Sequence, residues 1–341
     1  MNYHQFANDI QLYTVINPDS LYCLASLTSR ANAVTGWHIR NDHLLNPSKT
    51  EALVAGTRQQ VAKLDTSSEK AESGSIVPFS LKLRVLGVTL DEKLTFDDHI
   101  SGIVQTGNYH LWALRHIRPL VDQDTANTIA CLLVCTRLDY CNTILYGVKK
   151  QNIGRLQHVQ HSLARIVCLA PYRSFNSRLR RHLHWLPVQE RITFKITTLT
   201  HKVLTHHQPG YLSELSVEYW PVYNLCSEDK ILLVIPWMKT KIASRAFRVS
   251  APTIWNSLPL SLRCTTTISS FRSQLKTYVF GNAYGWSLTF ERQTLTHCKV
   301  AIFILRRTLN DSAPQYKFYW LIDCWCHSFV KCRVWRNYRF R

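Results

Sequence analysis

The sequence predicts an α+β chain that is mostly α. Three observations carry this. Apolar residues alternate in short, β-branched runs within the first 92 residues. From Asp97 onward they recur at every third and fourth position, which is the period of a helix. Apolar residues make up 46% of the 341 and charged residues only 18%. That supports a sizeable core and argues against a chain that stays unfolded.

The elements follow in order. Residues 4–16 alternate weakly around Asn8-Asp9, which predicts two short strands about a tight turn, since Asn and Asp tolerate turn backbone angles. Asp19-Ser20 can cap a helix over about 21–43, stopped by Asn46-Pro47. Residues 51–55 read as a short strand, 57–78 as a polar loop, and 81–90 as a strand or hairpin around Gly87. Residues 97–117, 122–146 and 152–169 each have helical period, separated by Arg118-Pro119 and Gly147. Residues 179–207 are helical with a break at Pro187. Gln208-Pro209-Gly210 is a turn, 231–236 a short strand, and 244–255 and 268–280 two more helices. Past Gly281 the residues are aromatic and basic without clear period.

Composition excludes several classes. The longest clean apolar runs, 129–135 and 300–305, fall far short of the ~20 residues of a bilayer-spanning helix. The N-terminal residues have neither the basic start nor the apolar stretch of a signal peptide. The 11 cysteines are scattered and odd in number, which fits reduced thiols rather than a secreted disulfide framework. A nuclear or cytoplasmic protein is expected, neither secreted nor membrane-bound. There is no phosphate-cradling glycine loop, dinucleotide fingerprint, zinc-protease motif or nucleophile elbow.

Charge is the most informative quantity. Residues 1–150 hold 14 Lys/Arg and 14 Asp/Glu, so the whole net charge of +19 lies in residues 151–341. A neutral half joined to a strongly basic half predicts a polyanionic partner, nucleic acid ahead of an anionic membrane surface, because no long amphipathic basic helix stands out. The best binding stretch is 155–207. It holds Arg155, Arg165, Arg173, Arg178, Arg180, Arg181, Arg191, Lys195 and Lys202 against one acid, Glu190. Tyr172, Phe175, Trp185 and seven histidines lie among them. Cationic side chains neutralise phosphates, and aromatic faces stack on unpaired bases at ~1–3 kcal/mol each. The plainer alternative is a solvated helical face; the near-absence of acids favours nucleic acid. Trp185, Trp255 and Leu258 read as core, and Cys131 and Cys135, one helical turn apart, as buried thiols. Cys324-Trp325-Cys326-His327 with Cys332 and His297-Cys298 invites a zinc reading, but the spacing is not a standard zinc pattern.

Several segments together resemble one family. Tyr3-His4-Gln5-Phe6-Ala7-Asn8-Asp9-Ile10-Gln11-Leu12-Tyr13 resembles the Phe/Tyr-Ala-Asp-Asp strand–turn–strand of reverse transcriptases from non-LTR (LINE-type, jockey-like) retrotransposons. Leu45-Asn46-Pro47-Ser48-Lys49-Thr50-Glu51 is similar to the next palm motif, and Val85-Leu86-Gly87-Val88-Thr89-Leu90-Asp91 to the primer-grip hairpin. Arg137-Leu138-Asp139-Tyr140-Cys141-Asn142, Leu183-His184-Trp185-Leu186-Pro187-Val188, and Ser244-Arg245-Ala246-Phe247 through Trp255-Asn256-Ser257-Leu258-Pro259 are similar to the region after the palm. The segments keep the family's order and about its spacing from residue 1 to about 280.

The resemblance implies an organisation and an activity. Residues 1–92 would be a remnant of the polymerase palm, 93–150 a helical thumb, 151–280 a basic helical C-terminal region, and 281–341 an unassigned basic and aromatic tail. RNA-directed DNA polymerases hold two Mg²⁺ ions ~3.5–4 Å apart with aspartates, two at the palm turn and one on an earlier strand. Here the first turn position is Asn8, whose neutral amide is a weak ligand for a hard cation. Asp9 alone remains, a residual Mg²⁺ ligand at best. Lys49 would stand near the triphosphate, able to protonate pyrophosphate, and pairing with Glu51 is its plainer role. Gly87 would let a nucleic-acid strand approach the backbone closely, or simply permit a bend. The sequence opens just ahead of the turn, without the earlier catalytic strand. The expectation is therefore a truncated, inactive reverse transcriptase that keeps affinity for RNA, DNA or an RNA–DNA hybrid and can partner an intact transcriptase. A structural or protein-interaction module, and a pseudogene product without a stable fold, remain open alternatives.

Overall fold

A computed structural model describes residues 2–6, 9–16, 22–42, 50–56, 59, 61, 71–72, 75–76, 79–220, 231–285 and 332–339. The architecture is α+β and mostly α. Contacts divide the chain into Met1–His99 with Cys324–Arg341, and Ile100–Asp323. The helices of residues 100–150 and 151–280 lie together in the second unit.

In the first unit, β1 (Asn2–Phe6) and β2 (Asp9–Ile16) pair antiparallel with Phe6 opposite Asp9. Helix α1 (Tyr22–Arg40) follows, then β3 (Glu51–Ala55). Ala52, Leu53, Val54 and Ala55 are all buried, so β3 is covered on both faces. The tail, unassigned in the sequence, supplies β8 (Cys332–Arg339), which lies antiparallel between β2 and β3. Sheet order is β1-β2-β8-β3. The loop expected at 57–78 lies mostly outside the described residues, but contains paired two-residue strands β4 (Ala71–Glu72) and β5 (Ser75–Ile76).

The β6 (Lys82–Val85) and β7 (Val88–Asp91) hairpin has the expected alternation, with Leu83, Val85, Val88 and Leu90 buried. Leu86 and Gly87 turn it at φ of 45° and 85°. Two positive angles in a two-residue loop match the strand twist. Asp91 then accepts the backbone N–H groups of Thr95 and Phe96, at 2.9 and 2.8 Å, reversing the chain into α2 (Asp97–Ile117). Asp97 and Asp98 sit in its first turn, where the helix dipole favours anions.

The second unit is helical. It contains α3 (Gln123–Ala130), α4 (Thr136–Asp139), α5 (Lys150–Val167), α6 (Asn176–His182), α7 (Val188–His206), α8 (Gly210–Ser213), α9 (Phe247–Asn256), α10 (Leu260–Arg263) and α11 (Ile268–Tyr284). The single helix expected over 122–146 is interrupted. A π-helical turn at Cys131–Cys135 changes the phase, so Val134, Cys135 and Leu138 are buried while Leu132 and Leu133 are exposed. Helix α7 is central. Around it Leu186, Leu233, Trp255, Leu258, Leu262, Phe271, Leu275, Val279 and Phe280 form one apolar cluster. Trp185, Trp255 and Leu258 are buried, as the sequence indicates.

The break at Pro187 is held by α5. The Gln157 side-chain oxygen accepts the Val188 N–H at 2.9 Å, and the Leu186 carbonyl accepts from Gln160 Nε2 at 2.8 Å and Arg191 Nε at 2.9 Å. The strand expected at 231–236 reduces to one bridge, Glu218 to Leu233. Both backbone groups of Leu233 go instead to the Asn256 side-chain amide, at 2.9 and 2.8 Å. Among the described residues no helix is long and apolar enough to cross a membrane.

Candidate nucleic-acid interface

The α5–α6 connection concentrates exposed basic and aromatic side chains, and local bonds hold it firmly. At the end of α5 the Arg118 guanidinium caps the Val167 carbonyl through Nε and Nη2, at 3.0 and 2.9 Å. Leu169 then takes a left-handed φ of 48°. The Arg165 carbonyl accepts the Ala170 N–H at 3.0 Å, and its guanidinium donates to the Tyr172 carbonyl at 3.3 Å. The same guanidinium lies over the Tyr172 ring, 4.9 Å from its centroid. Arg178 lies 5.7 Å from the centroid of Phe175, whose carbonyl accepts the Leu179 N–H at the start of α6. Tyr172 and Phe175 are 84% and 72% exposed. Arg173, Arg178, Arg181 and His182 are exposed beside them. From Tyr140 to Gln189 the sequence has no Asp or Glu at all.

The other cations named from the sequence do different work. Arg155 is half-buried and donates to Ser101 Oγ at 3.0 Å. Arg191 pairs with Asp139 at 2.8 Å, with its Nη2 3.8 Å from Cys135 Sγ. Lys195 and Lys202 are half-buried, and burial lowers the pKa of both. Arg180 is only 9% exposed, and its Nε and Nη1 meet no hydrogen-bond partner among the described residues. Its charge is felt by His161, whose pKa falls to about 4 through burial first, then Arg180, Arg165 and His158. Arg180 and Arg191, and in part Lys195 and Lys202, are therefore withdrawn from the surface expected of them. The reason is helical phase: Arg180 and Arg181 are adjacent, and consecutive helix positions lie about 100° apart.

The first unit holds the remaining expected site residues. Asp9 is the first residue of β2, opposite Phe6 and Arg339. Gly87 is exposed at its hairpin turn. Asn8 and Lys49 lie outside the described residues. So do the cysteines and histidines weighed for zinc, apart from Cys332, the first residue of β8. Among the described residues no group of three or more His, Cys, Asp or Glu is placed to hold a metal ion. Of the two helical thiols, Cys135 is buried and Cys131 only partly so, which corrects the expectation for Cys131.

Sequence reasoning missed the structural arginines. Arg118 and Arg263 are buried, and Arg263 Nε donates to the Leu258 carbonyl at 3.1 Å. The position of Arg118 at a helix–helix junction, before Pro119, is the one local signal for its role. Comparison of the chain with family models, with characterised proteins and with solved structures found no match.

Proposed function

We propose that the chain is of LINE-type reverse-transcriptase descent, binds nucleic acid and is inactive as a polymerase. The observation that carries binding is the exposed group Arg173, Arg178 and Arg181, set among open aromatic rings in a stretch without acids. Such a surface neutralises phosphates and repels nothing anionic. The order of elements supports the ancestry: a hairpin, a helix, a strand, a two-residue strand pair, the β6–β7 hairpin, then helices, with β8 after them. In that reading the first unit descends from the palm and α2 opens the thumb. The central position of β8 is no part of what the resemblance implies.

Inactivity rests on Asn8, an amide where the resembling family has an aspartate. With an amide at Asn8, the turn offers a hard cation one carboxylate, Asp9, where the resembling family has two, so no functional Mg²⁺ is assigned. The partners of this reading are RNA, DNA or their hybrid, in the nucleus or cytoplasm, and an intact transcriptase. The test is binding of the full chain to single-stranded RNA and an RNA–DNA hybrid across ~50–200 mM salt. Engaging about six phosphates predicts a loss of ~10³-fold. Salt-insensitive binding would contradict it. Template-directed primer extension with Mg²⁺ or Mn²⁺ would contradict inactivity.

A second reading, a protein-interaction module, is favoured by one observation. Tyr109, Trp112, Ile117 and Leu120 are exposed on α2 and the turn after it. Salt-insensitive capture of a protein partner would support it.

A further inference from the structure

We infer that the α5–α6 surface takes its nucleic acid as an unpaired strand, with bases stacked on Tyr172 and Phe175. This rests on the binding reading above and names the form of the ligand. A duplex offers this surface only phosphates, because its base faces are hidden in the stack. Two large aromatic residues three positions apart, Tyr172 and Phe175, are 84% and 72% exposed in one short connection. Each already carries a guanidinium, Arg165 on Tyr172 at 4.9 Å and Arg178 on Phe175 at 5.7 Å. A cation over a ring orients it and leaves its remaining surface for a base.

The platform is also preorganised. Arg165 holds the Tyr172 carbonyl at 3.3 Å and the Ala170 N–H at 3.0 Å, and Pro171 accepts the Ser174 N–H at 3.0 Å. Little backbone freedom then remains to be lost on binding. Arg173 and Arg181, exposed beside the rings, supply the phosphate contacts. An acidic peptide would satisfy the arginines but leave both ring faces unused. The combination of charge and open rings therefore favours a single strand over a peptide.

The experiment uses the full chain at ~100 mM salt and three labelled probes: a single strand of about 12 nucleotides, a hairpin duplex of equal phosphate number, and a poly-aspartate peptide of equal charge. The wild type should bind the single strand most tightly. Removing stacking should weaken single-strand binding ~5- to 150-fold per ring, so Tyr172→Ala/Phe175→Ala should lose ~25-fold or more. Its duplex affinity and salt slope should stay unchanged. Tyr172→Trp/Phe175→Trp should retain single-strand binding. Both rings are exposed, so an unchanged unfolding midpoint shows that the variants fold. Equal binding of strand and duplex, with the alanine pair silent and Arg173→Gln/Arg181→Gln weakening both, overturns this inference and leaves the binding reading standing. Poly-aspartate binding as well as the strand overturns it in favour of a plain polyanion surface. Binding of neither nucleic acid overturns both.

Discussion

The cationic side chains between Arg155 and Lys202 divide into two kinds. Arg191 and Asp139 are 14% and 20% exposed and 2.8 Å apart. Asp139→Asn leaves the Arg191 charge enclosed without its counter-ion, so the urea midpoint should report a loss of ~3 kcal/mol. Arg173 is exposed, so Arg173→Gln should change stability by less than ~0.5 kcal/mol. Gly147→Ala is a separate steric test. Gly147 has φ 68°, and an added Cβ would stand 2.7 Å from Cγ of Arg245, whose Nε donates to the Tyr146 carbonyl at 3.1 Å. A loss of ~1–3 kcal/mol is expected in the same measurement. Acid acts through the buried histidines: burial, then Arg84, lowers His99 to about 4, burial lowers His201, and His161 is the one nearest the basic surface. Its native pKa is lowered to about 4, by burial and then by Arg180, Arg165 and His158, so the unfolded chain takes up the proton first. Stability is full above the ordinary histidine pKa of about 6.5 and falls as pH drops from there toward about 4. His161→Gln should make that fall smaller, leaving the shares of His99 and His201, when urea midpoints are compared between about pH 7 and about pH 5. Residue types were legible in the sequence, but their fates were not. Arg180 and Arg181 are neighbours, one enclosed and one exposed, and only the packed helix α6 tells them apart.

At the scale of elements, the sequence carried most of what local chemistry controls. Helix α2 begins at Asp97 because Asp97 and Asp98 favour a helix start, and α7 begins after Pro187, which stands at its N-cap, where a missing N–H costs nothing. The hairpin about Gly87 was legible from alternation and one glycine. What stayed hidden depends on distant partners. The run 129–135 is apolar throughout, so it conceals the phase change of the π-helical turn at Cys131–Cys135. The segment Cys332–Arg339 has no clean period, and its ladder partners are Asp9–Ile16 and Glu51–Ala55, far away in sequence. Val334 stands opposite Thr14 on one side and Val54 on the other. Val334→Pro would remove a donor from the middle of this sheet and should destabilise the first unit by ~1–3 kcal/mol, read by urea unfolding. A silent proline would mean that β8 is no central strand.

For the whole molecule, charge distribution is the property most directly tied to function. The net +19 resides entirely in residues 151–341, and part of it is spent inside the second unit, on Arg180 and Arg191. Within residues 155–207, what remains outside is a smaller and better-defined surface than the sequence alone implied, centred on Arg173, Arg178 and Arg181. The candidate binding site was thus legible as a stretch and as a composition, while its working members needed the fold. Binding through this surface should follow the number of phosphates it neutralises, with log K falling linearly against log salt. The most direct measurement compares the full chain with its Arg173→Gln/Arg178→Gln/Arg181→Gln variant, each titrated with single-stranded RNA across ~50–200 mM salt. The predicted result is a slope shallower by about 2 in the variant, with weaker binding at every salt concentration and an unchanged unfolding midpoint. Equal slopes and equal affinities in the two proteins would contradict the assignment of nucleic-acid binding to this surface.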